Sequence, residues 1–367
     1  MKICILQPYL APYRLNLFDN IGMLNKDETI ICYYSKFEKR RKWEENYTLT
    51  YCKEVFFNSF IIQTGYEKNI EIPNLVKILS FLIKEKPDVI VCFPNIFGLI
   101  ILIMDVLFKY KLISWLESTK VTESNTGYLK RKIRDLFWNK TSTFIVPGNE
   151  TKDYLNSMGF PKNHQKLYFV PNSVNSEFQI KSDELEKKFN NINKTLDFCF
   201  SGSLILRKGI DLLLEAIKIV NKEYNGKRKY NLNILGTGEF QVEQIDNVIW
   251  HGFQTGDSYI KTIMRSNVFI LPSRSDCNPL TVIEALKSGC ILVLSKNVGN
   301  ASDFIQDNGF LIDDLSPRGI SRYIISLLEC STEKLQYMSN ISFSLGKNIT
   351  QQNSAKKFIS ALSDTCF

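Results

Sequence analysis

Histidine is almost missing from this chain: His164 and His251 are the only two in 367 residues. A histidine metal centre and a histidine general base are therefore not expected. Cysteine is present nine times but scattered, with no C-x-x-C pair and no Cys/His cluster. That argues against a zinc site and a disulfide framework, and it fits a reducing, cytoplasmic compartment. The loop that follows the first apolar run reads QPYLAPYRLNLF and contains no glycine. A dinucleotide-binding fold places G-x-G-x-x-G there, so an NAD or FAD enzyme is not expected. Long hydrophobic runs are lacking as well. The longest, Ile96 to Phe108, includes Asp105 and falls short of the roughly 18 residues that span a bilayer. It reads as a buried core helix. The start, MKICILQPYL, reaches Pro8 after a few apolar residues and reads as a first strand, not a signal peptide.

What the chain does contain is a globular composition, 44% hydrophobic and 23% charged, at a length suited to two α/β domains. In the first half, apolar runs at Lys2 to Leu6, Thr29 to Tyr34, Asp88 to Phe93, Leu112 to Leu116 and Thr143 to Val146 predict short strands. Amphipathic segments at Tyr13 to Leu24, Asn74 to Lys84, Tyr128 to Asn139 and Glu150 to Met158 lie between or beside them. Such alternation predicts a doubly wound parallel sheet. The polar stretch 182–194 reads as a linker. The second half opens with a strand at Leu196 to Phe200 and a helix at Ile210 to Val220. Strands at Asn231 to Leu235 and Val248 to Trp250 follow.

The most informative stretch is Val268 to Ser295, VFILPSRSDCNPLTVIEALKSGCILVLS. Val268 to Leu271 suits a buried strand. Asn278 is placed to cap a helix whose first position is Pro279, with Leu280, Ile283, Ala285 and Leu286 on its inner face. Gly289 predicts a left-handed stop before a second strand. This strand–loop–helix–strand unit points a helix N-terminus at the crevice where open α/β sheets bind anions. Two carboxylates flank it, Asp276 and Glu284. Beside a phosphate site, each suits accepting hydrogen bonds from sugar or ribose hydroxyls; each also suits a solvated turn or helix face.

This segment resembles the donor-site signature of the family-four retaining glycosyltransferases, which have the GT-B fold. The matches are Pro272, Ser273, Pro279, Leu280, Glu284, Ala285 and Gly289, while Asp276 stands for the family's first Glu and Cys277-Asn278 for its Gly-Phe. Ser201 to Gly209, SGSLILRKG, resembles the family's diphosphate loop at Gly202, Leu204, Lys208 and Gly209, with Ser203 in place of an arginine. Val170-Pro171-Asn172 resembles the interdomain hinge. The resemblance implies two Rossmann-like domains facing across a cleft, at residues 1–175 and 176–350, with 351–367 as a helix crossing back. It also implies transfer from a UDP- or GDP-sugar to a glycan or lipid-linked glycan, with retention, in surface polysaccharide synthesis.

In that reading Lys208 and Arg207 neutralise the diphosphate, and Asn278, Pro279, Leu280 and Thr281 add backbone donors. Glu284 holds the ribose, Asp276 the sugar, and Gly236 and Phe253 line the base rim. Glu117, in WLEST, takes the place near the acceptor and reacting sugar. Arg14 is placed to reach a phosphate or the acceptor, with Tyr13 beside it. No metal or other cofactor is required, since the cations do that electrostatic work and no D-x-D pair is present. Two alternatives share the fold: a sugar-nucleotide epimerase and a non-catalytic nucleotide-sugar-binding protein.

The net charge of +8 lies mostly in the first half. Its two basic stretches, Lys36 to Trp43 and Tyr128 to Lys140, fit either a solvated face over core packing or an anionic membrane surface. The second places Leu129, Ile133, Leu136 and Phe137 on one helical face. Nucleic acid is not an expected partner, because no binding motif accompanies the charge.

Overall fold

The computed structural model describes residues 1–366 except 37–47, 66, 67, 125, 190, 191 and 193. The basic stretch Lys36 to Trp43 thus lies, beyond its first residue, outside the described residues. The first domain carries strands β1 (Ile3–Gln7), β2 (Thr29–Tyr33), β3 (Lys53–Phe56), β4 (Phe60–Gly65) and β5 (Lys68–Ile72). They are followed by β6 (Val89–Cys92), β7 (Lys111–Trp115), β8 (Thr143–Val146) and β9 (Lys166–Phe169). Seven form one sheet in the order β3-β2-β1-β6-β7-β8-β9, and β4 and β5 pair apart from it as an antiparallel hairpin. The second domain carries β10 (Thr195–Ser201), β11 (Lys229–Leu235), β12 (Val248–Gly252), β13 (Val268–Leu271), β14 (Ile291–Ser295) and β15 (Gly309–Ile312). Their order is β12-β11-β10-β13-β14-β15. Neighbouring strands of both large sheets pair in parallel, as expected for continuous β-branched runs buried on both faces.

Both sheets are doubly wound. Each reverses direction once, between β1 and β6 and between β10 and β13, and the crevice outside those strand ends is where such sheets bind ligands. In the first domain alternate residues serve two cores. Cys4, Leu6, Ile90 and Cys92 pack with Ile78, Phe97, Ile101 and Phe137, so helices Leu75–Glu85, Ile96–Phe108 and Tyr128–Lys140 cover one face. Ile3, Ile5, Val89 and Val91 pack with Phe18, Ile21, Phe358 and Leu362. The other face is therefore shared by helix Pro12–Leu24 and the last helix, Gln351–Cys366, which returns from the second domain. Phe358 meets Trp115 edge-on at 5.2 Å between centroids.

Three expectations are corrected. Helix Ile96–Phe108 is not buried all round: only Phe97, Gly98 and Ile101 are enclosed, because one sheet covers one side of it and no third layer follows. In helix Tyr128–Lys140 the period is right but the inner face is displaced. Arg134, Phe137 and Trp138 point inward, while Leu129 and Leu136 are exposed. Arg134 is tolerated inside because it donates to Glu123 at 2.7 Å and to Tyr154 at 2.8 Å. Burial raises the Glu123 carboxyl, but hydrogen bonds from Arg134 and Thr126 outweigh it and hold the group at about 2. Finally, the stretch read as linker forms a helix at Ser182–Phe189, with Leu185 and Phe189 in the second-domain core. Charged residues at its other positions masked that two-residue anchor.

Candidate active site

Two loops meet at the reversal of the second sheet. The first follows β10 and ends in a 3-10 turn, Leu206–Lys208, stopped by Gly209 at φ 73°. A Cβ at Gly209 would lie 1.9 Å from the Pro272 carbonyl oxygen, so glycine is what lets this loop touch the one after β13. The contact is laced by polar bonds. Arg274 N donates to the Arg207 carbonyl at 2.8 Å. Arg207 returns a bond to the Ser275 carbonyl at 2.8 Å. Arg274 forks onto both oxygens of Asp211 at 2.7 Å. Burial raises Asp211, but the Arg274 bonds outweigh it and hold the carboxyl below its ordinary value.

At the centre Lys208 Nζ donates to Asp276 Oδ2, with both side chains about seven-eighths buried. The two residues expected on opposite parts of a donor, diphosphate and sugar, are thus partners of one another. Asp276 is fixed from behind: its N–H donates to Asn297 O at 3.1 Å and its carbonyl accepts from Gly299 N at 2.8 Å.

The helix after this loop is Leu280–Lys287, capped by Pro279 with no side-chain cap bond. The expected cap, Asn278, lies one residue too early; its Oδ1 instead accepts from Asn300 Nδ2 at 2.9 Å. Around the first turn, Thr281 Oγ1 and Asn300 Oδ1 are enclosed without a partner among the described residues, as is Ser273 Oγ at the start of the preceding loop. Buried polar atoms are almost always paired, and free polar atoms at a helix N-terminus suit an anionic or hydroxylated ligand. One turn on, Glu284 accepts from Tyr259 Oη at 2.6 Å, and that hydroxyl also contacts Ser201 Oγ at 2.9 Å. Burial pushes the Glu284 carboxyl up to about 7, against the lowering hydrogen bond from Tyr259. Its second oxygen has no partner among the described residues.

The neighbouring rim is built on glycine. Gly202 N donates to Leu235 O at 3.0 Å, and a Cβ at Gly236 would lie 2.0 Å from Gly202 O. Trp250 Nε1 donates to Gly236 O at 3.0 Å, and Phe253 stands about half exposed after β12. Leu280 is partly buried against the core and serves packing. His251 bonds Asn233 at 2.9 Å, within the sheet.

The first domain presents a second cluster at its own reversal. Arg14, at the start of helix Pro12–Leu24, donates to Gln7 at 2.7 Å and to Glu117 Oε1 at 2.8 Å. Its guanidinium lies 4.7 Å from the Trp115 ring centre and 5.9 Å from the Tyr13 ring. Asn172 Nδ2 also donates to Glu117 Oε1, at 3.0 Å. Glu117 is therefore held through Oε1 by two donors, and its Oε2 has no partner among the described residues. Sequence reasoning named Arg14 and Glu117 separately; it missed Gln7, Tyr259, Ser201, Arg274 and the Asn297–Asn300 brace. Asn172 carried a signal in the Val-Pro-Asn hinge motif, whereas nothing local marks Tyr259.

The two rims face each other. Burial pushes the Cys277 thiol up to about 11, and beside it a Cβ at Gly299 would lie 2.8 Å from Thr119 Cγ2 of the first domain. Asp303 of the second domain accepts from Asn149 Nδ2 at 2.7 Å and from Asn149 N at 3.2 and 3.3 Å. It thereby supplies an anion to the first turn of helix Asn149–Ser157, whose own cap, Gly148, has no side chain. Asn149 is the first helical residue. Asp303→Ala should lose one capping contact, about 1 kcal/mol, and favour opening of the cleft. Small-angle scattering would then report a larger radius of gyration, and an unchanged radius would show that Asp303 does not hold the domains closed.

Residues 181–343 match the family described as Glycosyl transferases group 1. The matched residues include the second sheet, the turn Leu206–Lys208 and the loop after β13. A glycogen synthase from Thermodesulfovibrio yellowstonii is 25% identical over 183 residues, 46% of this chain and 35% of that enzyme. The chain therefore spans about a third of that relative's length. Over the whole chain the likeness is one of fold. Anabaena HepE, solved in complex with UDP, superposes with a TM-score of 0.75 at 13% identity, covering 99% of this chain and 100% of that one. Sucrose-phosphate synthase from Thermosynechococcus elongatus gives 0.75 at 12% identity, covering 99% and 98%. Two Rossmann-like parallel-sheet domains facing across a cleft make this the GT-B arrangement.

Proposed function

We propose that the protein is a retaining glycosyltransferase that moves a sugar from a UDP- or GDP-sugar to a glycan or lipid-linked glycan, as in surface polysaccharide synthesis. The observation that carries this reading is the Lys208–Asp276 pair on the loop that leads to a helix N-terminus where Thr281 Oγ1 and Asn300 Oδ1 are enclosed without a partner among the described residues. Lysine there meets the diphosphate, and the freed Asp276 carboxylate turns to the sugar hydroxyls. Charge develops on the leaving diphosphate, so preorganised cations and N–H groups aimed at it lower the barrier. Arg207 sits on the same turn and adds to that field. The uncommitted oxygen of Glu284 accepts from ribose hydroxyls. In this reading the acceptor hydroxyl attacks from the leaving-group face, and the departing phosphate oxygen takes its proton. Glu117, oriented by Arg14 and Asn172, positions the acceptor. Lys208, Arg207 and the helix N-terminus provide the positive field, so no metal is assigned to the reaction.

The test is a melting series with UDP, GDP and their common sugar conjugates, followed by product analysis. One nucleotide at about 100 times its Kd should add roughly 2.7 kcal/mol to stability. Its sugar conjugate should give an axial or equatorial product linkage matching the donor. Inverted linkage would remove the retention claim. Binding with neither transfer nor donor hydrolysis would leave a nucleotide-sugar-binding protein, and an isomerised donor without acceptor would indicate an epimerase.

A further inference from the structure

The first domain is apolar where a solvent face is expected. Helices Leu75–Glu85, Ile96–Phe108 and Tyr128–Lys140 lie on one side of its sheet, as right-handed crossovers require. Their inner residues fill the core. Their outer residues include Val76, Val106 and Leu129, which are 79%, 78% and 73% exposed, together with Ile83, Ile103 and Leu107. Helix Ile96–Phe108 has a single charged residue, Asp105; a helix apolar on all sides belongs inside a protein or in lipid. Its 13 residues reach only about 20 Å, and among the described residues no helix is long and apolar enough to cross a membrane.

The hairpin that leads into helix Leu75–Glu85 is apolar outside as well. In the β4–β5 hairpin, Phe60 pairs across from Ile72 and Ile62 from Ile70, and all four are exposed. A two-stranded hairpin is marginal in water without something on its apolar face. Tyr9 Oη donates to Glu71 at 2.5 Å and ties the hairpin to the loop after β1, at the mouth of the first-domain crevice.

Charge selects the occupant. Lys77, Lys84, Lys86, Lys109, Lys130 and Lys132 are exposed on or beside these helices. Of the nearby acids, Glu85 is buried and taken up by Lys53 and Lys2 at 2.7 and 3.3 Å. Exposed apolar side chains rimmed by lysine fit an interface of anionic lipid. A second copy would bring the same lysines against themselves, and like charges across an interface are unfavourable.

We propose that this face rests on an anionic bilayer, with its apolar side chains in the headgroup–acyl boundary and its lysines on lipid phosphates. The cleft mouth then opens at the membrane surface, within reach of the head of a lipid-linked acceptor. Only that last step rests on the glycosyltransferase reading.

The test is sedimentation of the full chain with phosphatidylcholine vesicles and with vesicles that also carry one quarter phosphatidylglycerol. Binding is expected to the anionic vesicles alone and to weaken with salt. The pair Lys84→Glu with Lys109→Glu should lower it on the order of tenfold, as should Val106→Asp with Leu107→Asp. Melting temperature and stabilisation by UDP should stay at wild-type values in both, which separates loss of the surface from loss of fold or donor site. No binding to anionic vesicles, or equal binding by the variants, overturns the proposal. So does a concentration-dependent dimer that Val106→Asp with Leu107→Asp dissolves, since the face would then belong to a second copy. Vesicle binding without any nucleotide stabilisation would keep this surface and discard the transferase reading.

Discussion

Lys208→Ala is expected to lower kcat for transfer by two to three orders of magnitude at saturating donor. Removing one preorganised donor from a site of developing negative charge has that size, about 2.7 to 4 kcal/mol. In the proposed reaction Lys208 is such a donor: its ammonium stands on a turn locked by Gly209, at the strand end where the sheet reverses. The same substitution leaves Asp276 enclosed without its cation, and an abandoned buried charge destabilises the fold. Reduced activity could then reflect partial unfolding. The double variant Lys208→Ala with Asp276→Asn separates the two effects. It should recover most of the melting temperature, because no charge is stranded, and none of the rate. A single variant retaining transfer within threefold would mean that the diphosphate is held elsewhere.

Glu284→Gln should be more stable than wild type above neutral pH and a poorer donor binder. Burial pushes the Glu284 carboxyl up to about 7, against about 4.3 in an unfolded chain. Between those values the folded state holds a proton that the unfolded state has released. Wild-type stability therefore falls as pH rises through that window, by up to about 4 kcal/mol, and stays lowered above it. Glutamine keeps the bond from Tyr259 and carries no charge, so the penalty disappears. The gap in unfolding free energy between variant and wild type should open between pH 5 and pH 8. Donor affinity should move the other way. The carboxylate is the form that accepts from two hydroxyls, so wild-type affinity rises through pH 7, while that of the variant stays flat and weaker. Calorimetric titration at pH 6 and pH 8 reads this directly; a pH-independent stability gap would sink the argument. A site residue that weakens the fold when charged is a common trade between stability and activity.

Much of the fold was legible because its signals are local. β-branched runs give strands, proline and glycine punctuate the unit from Val268 to Ser295, and strict alternation leaves a doubly wound sheet as the simplest topology. The loops that carry the expected donor residues were legible for the same reason, since they sit within a few positions of those punctuation marks. Their pairings were not. Lys208 and Asp276 are 68 residues apart and Arg14 and Glu117 are 103 apart, and only the strand order brings each pair together. Arg134 shows the opposite limit. A charged side chain was assigned to solvent by its type, although Glu123 and Tyr154 had been placed to receive it inside. The hairpin escaped notice because its alternating apolar residues face no core, and a strand pattern is recognised by the core it implies. Tyr259 and Ser201 carry no motif at all, and their part in holding Glu284 follows from geometry alone.

The return of helix Gln351–Cys366 has a mechanical consequence. The polypeptide passes from one domain to the other twice, and the two passages touch: Gln351 Nε2 donates to Asn175 Oδ1 at 3.2 Å and to Tyr13 O at 3.2 Å, and Ser354 Oγ donates to Pro171 O at 2.9 Å. A body held by a single strand can swivel in any direction. One held by two adjacent strands keeps a single easy rotation, about the line joining them, and resists twist. Opening and shutting of the cleft is thus guided along one path. Glu117 and Lys208, on opposite jaws, return to the same mutual placement each time it closes.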